Sequence, residues 1–297
     1  MDLAAKDLQT LCSIAALAAR EAGALIADYS QRAFAVQHKS GCESLATQVV
    51  TEVDELSQAI ILKRLSPSFE RFDIALLSEE REDDGSRLEK QAFWCIDPLD
   101  GTLPFTQRKP GYAVSIALLA KSGAPMIGVI FDPVENILIE AIAGVGVLRN
   151  GQSFNLHTAG VSGVPLYYYC DCSFETHPQR TQMVANMELV AQALGSSDLV
   201  VNIGGGAVMN ACHVLQHPSA CYFKLPKMKA GGGSIWDFAA TAAVFQCLDV
   251  PATNFHGERM DLNRTDSTFM NHEGVMYASH PAVARAVREA FASSQLS

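Results

Sequence analysis

Phe93-Trp94-Cys95-Ile96-Asp97-Pro98-Leu99-Asp100-Gly101-Thr102 runs apolar and then delivers two carboxylates, a proline and a Gly-Thr pair. The apolar half predicts a buried strand. Glu79 likewise follows a short apolar run, residues 72–77, that reads as a strand ending in Ser78-Glu79-Glu80. Neighbouring strand ends in one sheet would set these carboxylates side by side, where like charges are unfavourable unless one is protonated or a cation lies between them. Oxygen-only donors select a hard cation, so Mg2+ or Mn2+ is expected rather than zinc.

A tight turn is the plain alternative for residues 97–100, because Pro98 fixes its own φ and biases Asp97 towards an extended conformation. The continuation favours the metal reading. Gly101-Thr102 offers unhindered backbone N–H groups and a hydroxyl directly beside the acids, and such donors can hold phosphate oxygens while a metal neutralises their charge. Two further acids invite the same question. Thr51-Glu52-Val53-Asp54 and Ser234-Ile235-Trp236-Asp237 both match the S/T-x-x-D/E pattern of a helix cap, which is the simpler reading of either motif alone. A helix start also pins an acid in place, and Gly231-Gly232-Gly233 lets backbone approach a ligand closely.

The 297 residues, 48% of them hydrophobic, can bury a large core in one or two domains. A net charge of −10 argues against a generic binder of nucleic-acid polymers or anionic membranes. The eight cysteines form no C-x-x-C pair, which argues against a disulfide framework or zinc site and fits a reducing, cytoplasmic setting. Leu8, Leu11, Ala15, Ala18, Ala22 and Leu25 recur at helical spacing in a segment interrupted by charges. This predicts an amphipathic helix over about residues 3–30 rather than a signal peptide or membrane span.

A polar connection, His38 to Glu43, then leads to a second helix over about residues 52–65, with Thr51 as its cap. Apolar segments at 112–119, 126–131, 137–141 and 147–148, separated by short turns, predict an antiparallel meander. From about residue 160 the pattern alternates: strand 166–169, helix 180–194, strand 200–203, helix 207–216, strand 221–225 and helix 234–247. The chain is therefore read as an α+β half, residues 1–155, carrying most of the candidate metal ligands. An α/β half, residues 156–297, contributes Asp237 and substrate contacts.

The combined motifs resemble the signature of the lithium-sensitive, magnesium-dependent phosphomonoesterases, the family of inositol monophosphatase and 3′(2′),5′-bisphosphate nucleotidase. The resemblance rests on Trp94 to Thr102 followed by Phe105, on Ser78-Glu79-Glu80, on Trp236-Asp237-Phe238-Ala239-Ala240 and on Val50 to Asp54. It covers about residues 10–290 and implies an αβαβα layered sandwich with the site between the halves. It also implies two or three Mg2+ ions, with Mn2+ able to substitute. By motif position Glu79, Asp97 and the Leu99 carbonyl hold one ion; Asp97, Asp100 and Asp237 hold a second; Asp54 contacts a third. Gly101 and Thr102 hold phosphate, and a Glu79–Thr102 or Asp54–Thr102 pair assists the attacking water. A homodimer is implied by likeness to the inositol monophosphatases.

The resemblance implies a small soluble phosphate ester as substrate. Leu103-Pro104-Phe105-Thr106-Gln107-Arg108-Lys109 departs from the T-N-F-x-H-G run of inositol monophosphatases, and the S-E-E motif leans towards the bisphosphate nucleotidases. An inositol or other sugar phosphate is the alternative substrate, and a non-catalytic metal- or phosphate-binding homologue is the alternative class. Gly205 and Gly206 stand where the family places a glycine-serine element near substrate, and also suit a plain strand-to-helix turn. Lys224, Lys227 and Lys229 lie between a strand and the helix that carries Asp237, where a second phosphate could be met, and Lys229 is carried as a contact for substrate, although solvated loop lysines are the simpler reading of all three. His213 and His217 have metal spacing but lack a zincin glutamate, Cys170-Asp171-Cys172 has no second half, and Tyr167–Tyr169 reads as strand.

Overall fold

The computed structural model describes residues 3–40, 43–156 and 160–292, and side chains over the same ranges apart from 32–51. Two long helices open it, α1 (Ala5–Ser40) and α2 (Glu43–Phe72). Both exceed their expected lengths. No glycine or proline interrupts residues 31–40 or 43–66, so nothing in the backbone stops either helix. Thr51 accordingly lies well inside α2 rather than capping it, which removes the capping role assigned to the Thr51–Asp54 motif. Of the expected connection, His38 to Glu43, residues 38–40 and 43 are helical, and residues 41–42 lie outside the described residues.

Seven strands follow in one sheet: β1 (Ile74–Ser78), β2 (Ala92–Asp100), β3 (Ala113–Ala120), β4 (Pro125–Asp132), β5 (Ile137–Ile142), β6 (Gly146–Arg149) and β7 (Gln152–Ser153). They lie in sequence order. Only β1 and β2 run parallel, and the rest form the antiparallel meander read from the turns. A one-turn helix, α3 (Thr102–Gln107), separates β2 from β3. Pro104 is tolerated there because the first helical turn needs no amide donor at that position.

A second sheet has the order β11 (Ala252–Thr253), β12 (Val275–Ala278), β10 (Ala220–Lys224), β8 (Leu166–Cys170) and β9 (Leu199–Ile203). Its parallel part, β8, β9 and β10, alternates with α4 (Arg180–Leu194), α5 (Ala207–Val214) and α6 (Ile235–Cys247), close to the expected boundaries. The added strands β11 and β12 pair antiparallel, and α7 (Pro281–Ala292) closes the chain.

The layers stack as αβαβα: α1 and α2, the first sheet, α5 and α6, the second sheet, then α4 and α7. The first sheet is therefore covered on both faces, which is why β2 is buried at every position and reads as a continuous apolar run. Trp94 and Ile96 point into the core shared with α1, and Phe93 and Cys95 into the core shared with α5 and α6. The apolar segment Ala5–Gln31 is long enough to cross a membrane by length and composition. Its Leu11, Ala15, Ala18, Ala22 and Ile26 are instead packed on the sheet. Among the described residues every cysteine is a free thiol.

Candidate active site

Side chains on a strand alternate, so Asp97 continues the face of Phe93 and Cys95 and looks towards α6. Opposite it on β3 stands Ser115, whose hydroxyl donates to the Trp236 carbonyl at 3.3 Å and holds the first turn of α6 against this strand end. A register irregularity between Asp97 and Asp100 brings both acids to the α6 side. As a result Asp97, Asp100 and Asp237 offer carboxylate oxygens all within 4.8 Å of one another. Parallel pairing of β1 with β2 delivers Glu79 beside them, with its carboxyl hydrogen-bonded to that of Asp97. The expected grouping of Glu79, Asp97, Asp100 and Asp237 is thus present in the fold.

Each acid is also anchored. Asp97 accepts the Leu99 amide at 3.0 Å, and the Pro98 carbonyl accepts the Ser57 hydroxyl of α2 at 2.8 Å. Asp237 accepts the Ser234 amide as the third residue of a capping box, so capping and site placement coexist in that motif. The carboxylate of Asp100 accepts Ala207 N–H at 3.1 Å and Val208 N–H at 3.0 Å, at the start of α5.

Gly101 caps α3 with φ 85°, a left-handed conformation that favours glycine, and leads into half-buried Thr102. Among the described residues no hydrogen bond joins Thr102 to Glu79 or Asp54. Gly206 donates to the Gly111 carbonyl at 2.7 Å, and a Cβ there would lie 2.4 Å from Asp100 Oδ2. Gly205 and Gly206 therefore form the seam between the two sheets as well as part of the cleft wall. Lys229 is exposed and does not line that wall.

The cleft, of about 610 Å³, is lined by Glu79, Asp100, Gly101, Asp171, Lys224 and Asp237 together with the apolar Leu103, Trp236 and Phe269. Burial pushes the carboxyls of Asp97 and Asp100 well above their ordinary range, and neighbouring carboxylates add to the effect. Burial also raises Asp237, against the opposing pull of the Lys224 ammonium. Glu79 opens to the cleft but is enclosed by protein on its other sides; desolvation first and then Asp237 push it up to about 7. Asp54, buried on α2, is pushed up to about 8 by burial, then by Glu80 and Glu79. Carboxyls held this close share protons or a cation. Their donor set, all oxygen and all acidic, fits Mg2+ or Mn2+.

Sequence reasoning missed Asp171 in the second-sheet wall of the cleft. Asp171 follows the end of β8, where its Oδ1 accepts the Tyr222 hydroxyl at 3.0 Å and the Asn210 side-chain amide at 3.1 Å. Its other oxygen meets Lys224 Nζ at 2.8 Å. The signal was available, since Asp171 follows an apolar strand just as Asp97 ends one. His217 stacks on Tyr167 and His213 lies tilted against Tyr169, away from this cleft.

Known proteins resemble this chain in sequence and in fold. Nus factor SuhB of Escherichia coli K12 is 36% identical over 152 residues, covering 51% of this chain and 54% of that protein. An inositol-1-monophosphatase of Synechocystis is 36% identical over 155 residues, covering 51% and 50%. The chain spans about half the length of the curated relatives it matches most strongly. Among solved structures, inositol monophosphatase from Anabaena superposes with a TM-score of 0.69 at 22% identity, covering 97% of this chain and 96% of that one. The family model for the inositol monophosphatase family matches residues 7–292, and the chain belongs to that family.

Proposed function

We propose that this protein is a divalent-cation-dependent phosphomonoesterase acting on a small phosphate ester. The observation that carries the reading is the convergence of Asp97, Asp100 and Asp237 within 4.8 Å, from β2 and from the first turn of α6. Glu79, Asp97 and the Leu99 carbonyl would hold one Mg2+; Asp97, Asp100 and Asp237 a second; Asp54, beside Glu79 and Glu80, would face a third. Bound cations there supply Lewis-acid neutralisation of the phosphoryl oxygens and acidify water at neutral pH. The protein's own part is placement. Gly101 and Thr102 present backbone donors and a hydroxyl to phosphate, Glu79 or Asp54 holds the proton of the attacking water, and Leu103, Trp236 and Phe269 flank the entering ester.

For the ester itself, a 3′(2′),5′-bisphosphate nucleoside is the first reading, supported by the S-E-E motif and by a cationic side chain on the cleft wall. An inositol monophosphate is the second, favoured by the Synechocystis relative. The net charge of −10 and a cleft with four acidic side chains support a setting without nucleic-acid polymer or membrane, and the free cysteines among the described residues support the cytoplasm. Phosphate release from a panel of monoesters with Mg2+ or Mn2+ tests the activity, and kcat/KM for adenosine 3′,5′-bisphosphate against myo-inositol 1-phosphate separates the substrates. Activity that survives Asp97→Asn would sink the assigned site, and no release from any ester would sink the activity.

A further inference from the structure

Lys224 ends β10 and differs from the exposed lysines that follow it. Its ammonium lies 2.8 Å from Asp171 Oδ2 and 5.6 Å from the centre of the Phe238 ring, so it is held from two sides. Asp171 is itself fixed through its other oxygen by Tyr222 and Asn210. The lysine side chain is 21% exposed and lines the cleft together with Glu79, Asp100 and Asp237. Among the described residues lining that cleft it is the one cationic side chain.

An ammonium carries three N–H donors. Asp171 takes one, and among the described residues no second carboxylate is paired with Lys224. The remaining donors are available to an acceptor that enters the cleft. A phosphoryl group at the Asp97–Asp100–Asp237 end would have its charge answered by the cations proposed there. A second anionic group on the same substrate would otherwise meet only Asp171 and the other carboxylates, which repel it.

We propose that Lys224 is a specificity-determining residue that donates to an anionic group on the leaving-group portion of the substrate, a second phosphate or a carboxylate. Asp171, Tyr222 and Asn210 act as positioning residues that hold the ammonium in place. The inference rests on the phosphomonoesterase reading and deepens it, because it assigns the substrate class to one side chain.

The test uses two matched pairs of esters: adenosine 3′,5′-bisphosphate with adenosine 3′-monophosphate, and 2-phosphoglycerate with glycerol 2-phosphate. The readout is the ratio of kcat/KM, doubly anionic ester over its partner, for the wild-type protein and for Lys224→Met, Lys224→Gln and Lys224→Arg. Loss of one charge-assisted hydrogen bond predicts that the ratio falls roughly 10- to 100-fold in the Met and Gln variants, with partial recovery in the Arg variant. A fall confined to the adenosine pair identifies a second phosphate as the partner, and one confined to the glycerate pair identifies a carboxylate. A purely structural role would move both members of a pair together, so a ratio unchanged within about twofold in both pairs overturns the inference while the phosphatase reading stands. Absence of hydrolysis of all four esters by the wild-type protein overturns the inference, and the phosphomonoesterase reading falls with it only when the wider panel, myo-inositol 1-phosphate included, also releases no phosphate.

Discussion

Asp100 and Val208 stand 108 positions apart and meet in a hydrogen bond of 3.0 Å. With the neighbouring bond to Ala207, the carboxylate that faces the cleft also fastens the first turn of α5 to the end of β2. Asp97 has no such duty, since its protein partners are the Leu99 amide and the Glu79 carboxyl.

Asparagine substitutions should therefore act differently at the two acids. Asp97→Asn keeps an oxygen for Leu99, gains an amide donor towards Glu79 and removes a charge from the cluster, so the metal-free protein should melt no lower than wild type. Asp100→Asn must turn an NH2 group towards a backbone N–H; the lost hydrogen bond and unmet donor are each worth about 1–3 kcal/mol. Both variants should lose at least roughly 100-fold in kcat/KM, more than the 10- to 100-fold typical of changes behind a metal ligand. Thermal unfolding in EDTA and steady-state kinetics check the pair, and a metal-free Asp97→Asn protein less stable than Asp100→Asn would contradict the assignment.

Divalent cation should stabilise the fold. An ion that binds only the native protein at 100 times its Kd adds about 2.7 kcal/mol. The Tm should rise on titration with Mg2+ or Mn2+ and fall back with EDTA. In Asp97→Asn most of that increment should vanish, and an equal rise in the variant would place the stabilising ion elsewhere.

Gly206 leaves no room for a methyl group, because a Cβ would lie 2.4 Å from Asp100 Oδ2 and 2.7 Å from Gly101 Cα. Gly206→Ala should lower stability by about 1–3 kcal/mol, the usual range for overpacking a filled site. It should also lower kcat/KM, since relief requires Asp100 or Gly101 to shift. Urea unfolding beside kinetics measures both, and Gly160→Ala, where a Cβ meets open space, is the control.

His213 supplies a pH effect of definite sign. Burial holds its pKa below the ordinary 6.5, with His217 adding to the depression and Asp132 opposing it. Below pH 6.5 the unfolded chain takes up this proton before the folded one, so stability falls as pH drops from 6.5 towards the folded value. His213→Gln should remove that slope. The difference in unfolding free energy between the two proteins should narrow from pH 7.5 to pH 5.5, measured by urea titration, and a constant difference would rule the histidine out.

Much of this architecture was legible beforehand, for physical reasons. The meander showed because short turns punctuate β-rich runs, and α4 showed because its helical run, residues 180–194, is bounded by Pro178 and Gly195. The acids showed because each ends a run that has to be buried. Thr51 misled because a capping pattern carries no information about whether the helix has already begun. Asp171 stayed hidden, and Lys224 could not be told from its loop neighbours Lys227 and Lys229, because the pairing of the two lies in the parallel adjacency of β8 and β10, which no local pattern reveals. Gly205 and Gly206 were noticed for a ligand, and their seam with Gly101 and Gly111 emerged only with the second sheet in place.

Protein covers both faces of β2 up to the cleft at Asp100, so the strand that carries Asp97 and Asp100 has no side on which a change can be absorbed. An altered Phe93 or Trp94 would pass its displacement along the backbone to the carboxylates. Leu103 and Phe269, on the exposed rim of the same cleft, can be replaced without disturbing the layers. Evolution of new preferences in this scaffold is thereby steered to the lip of the cleft and to the tip of β10, while the chemistry at the end of β2 is inherited as a unit.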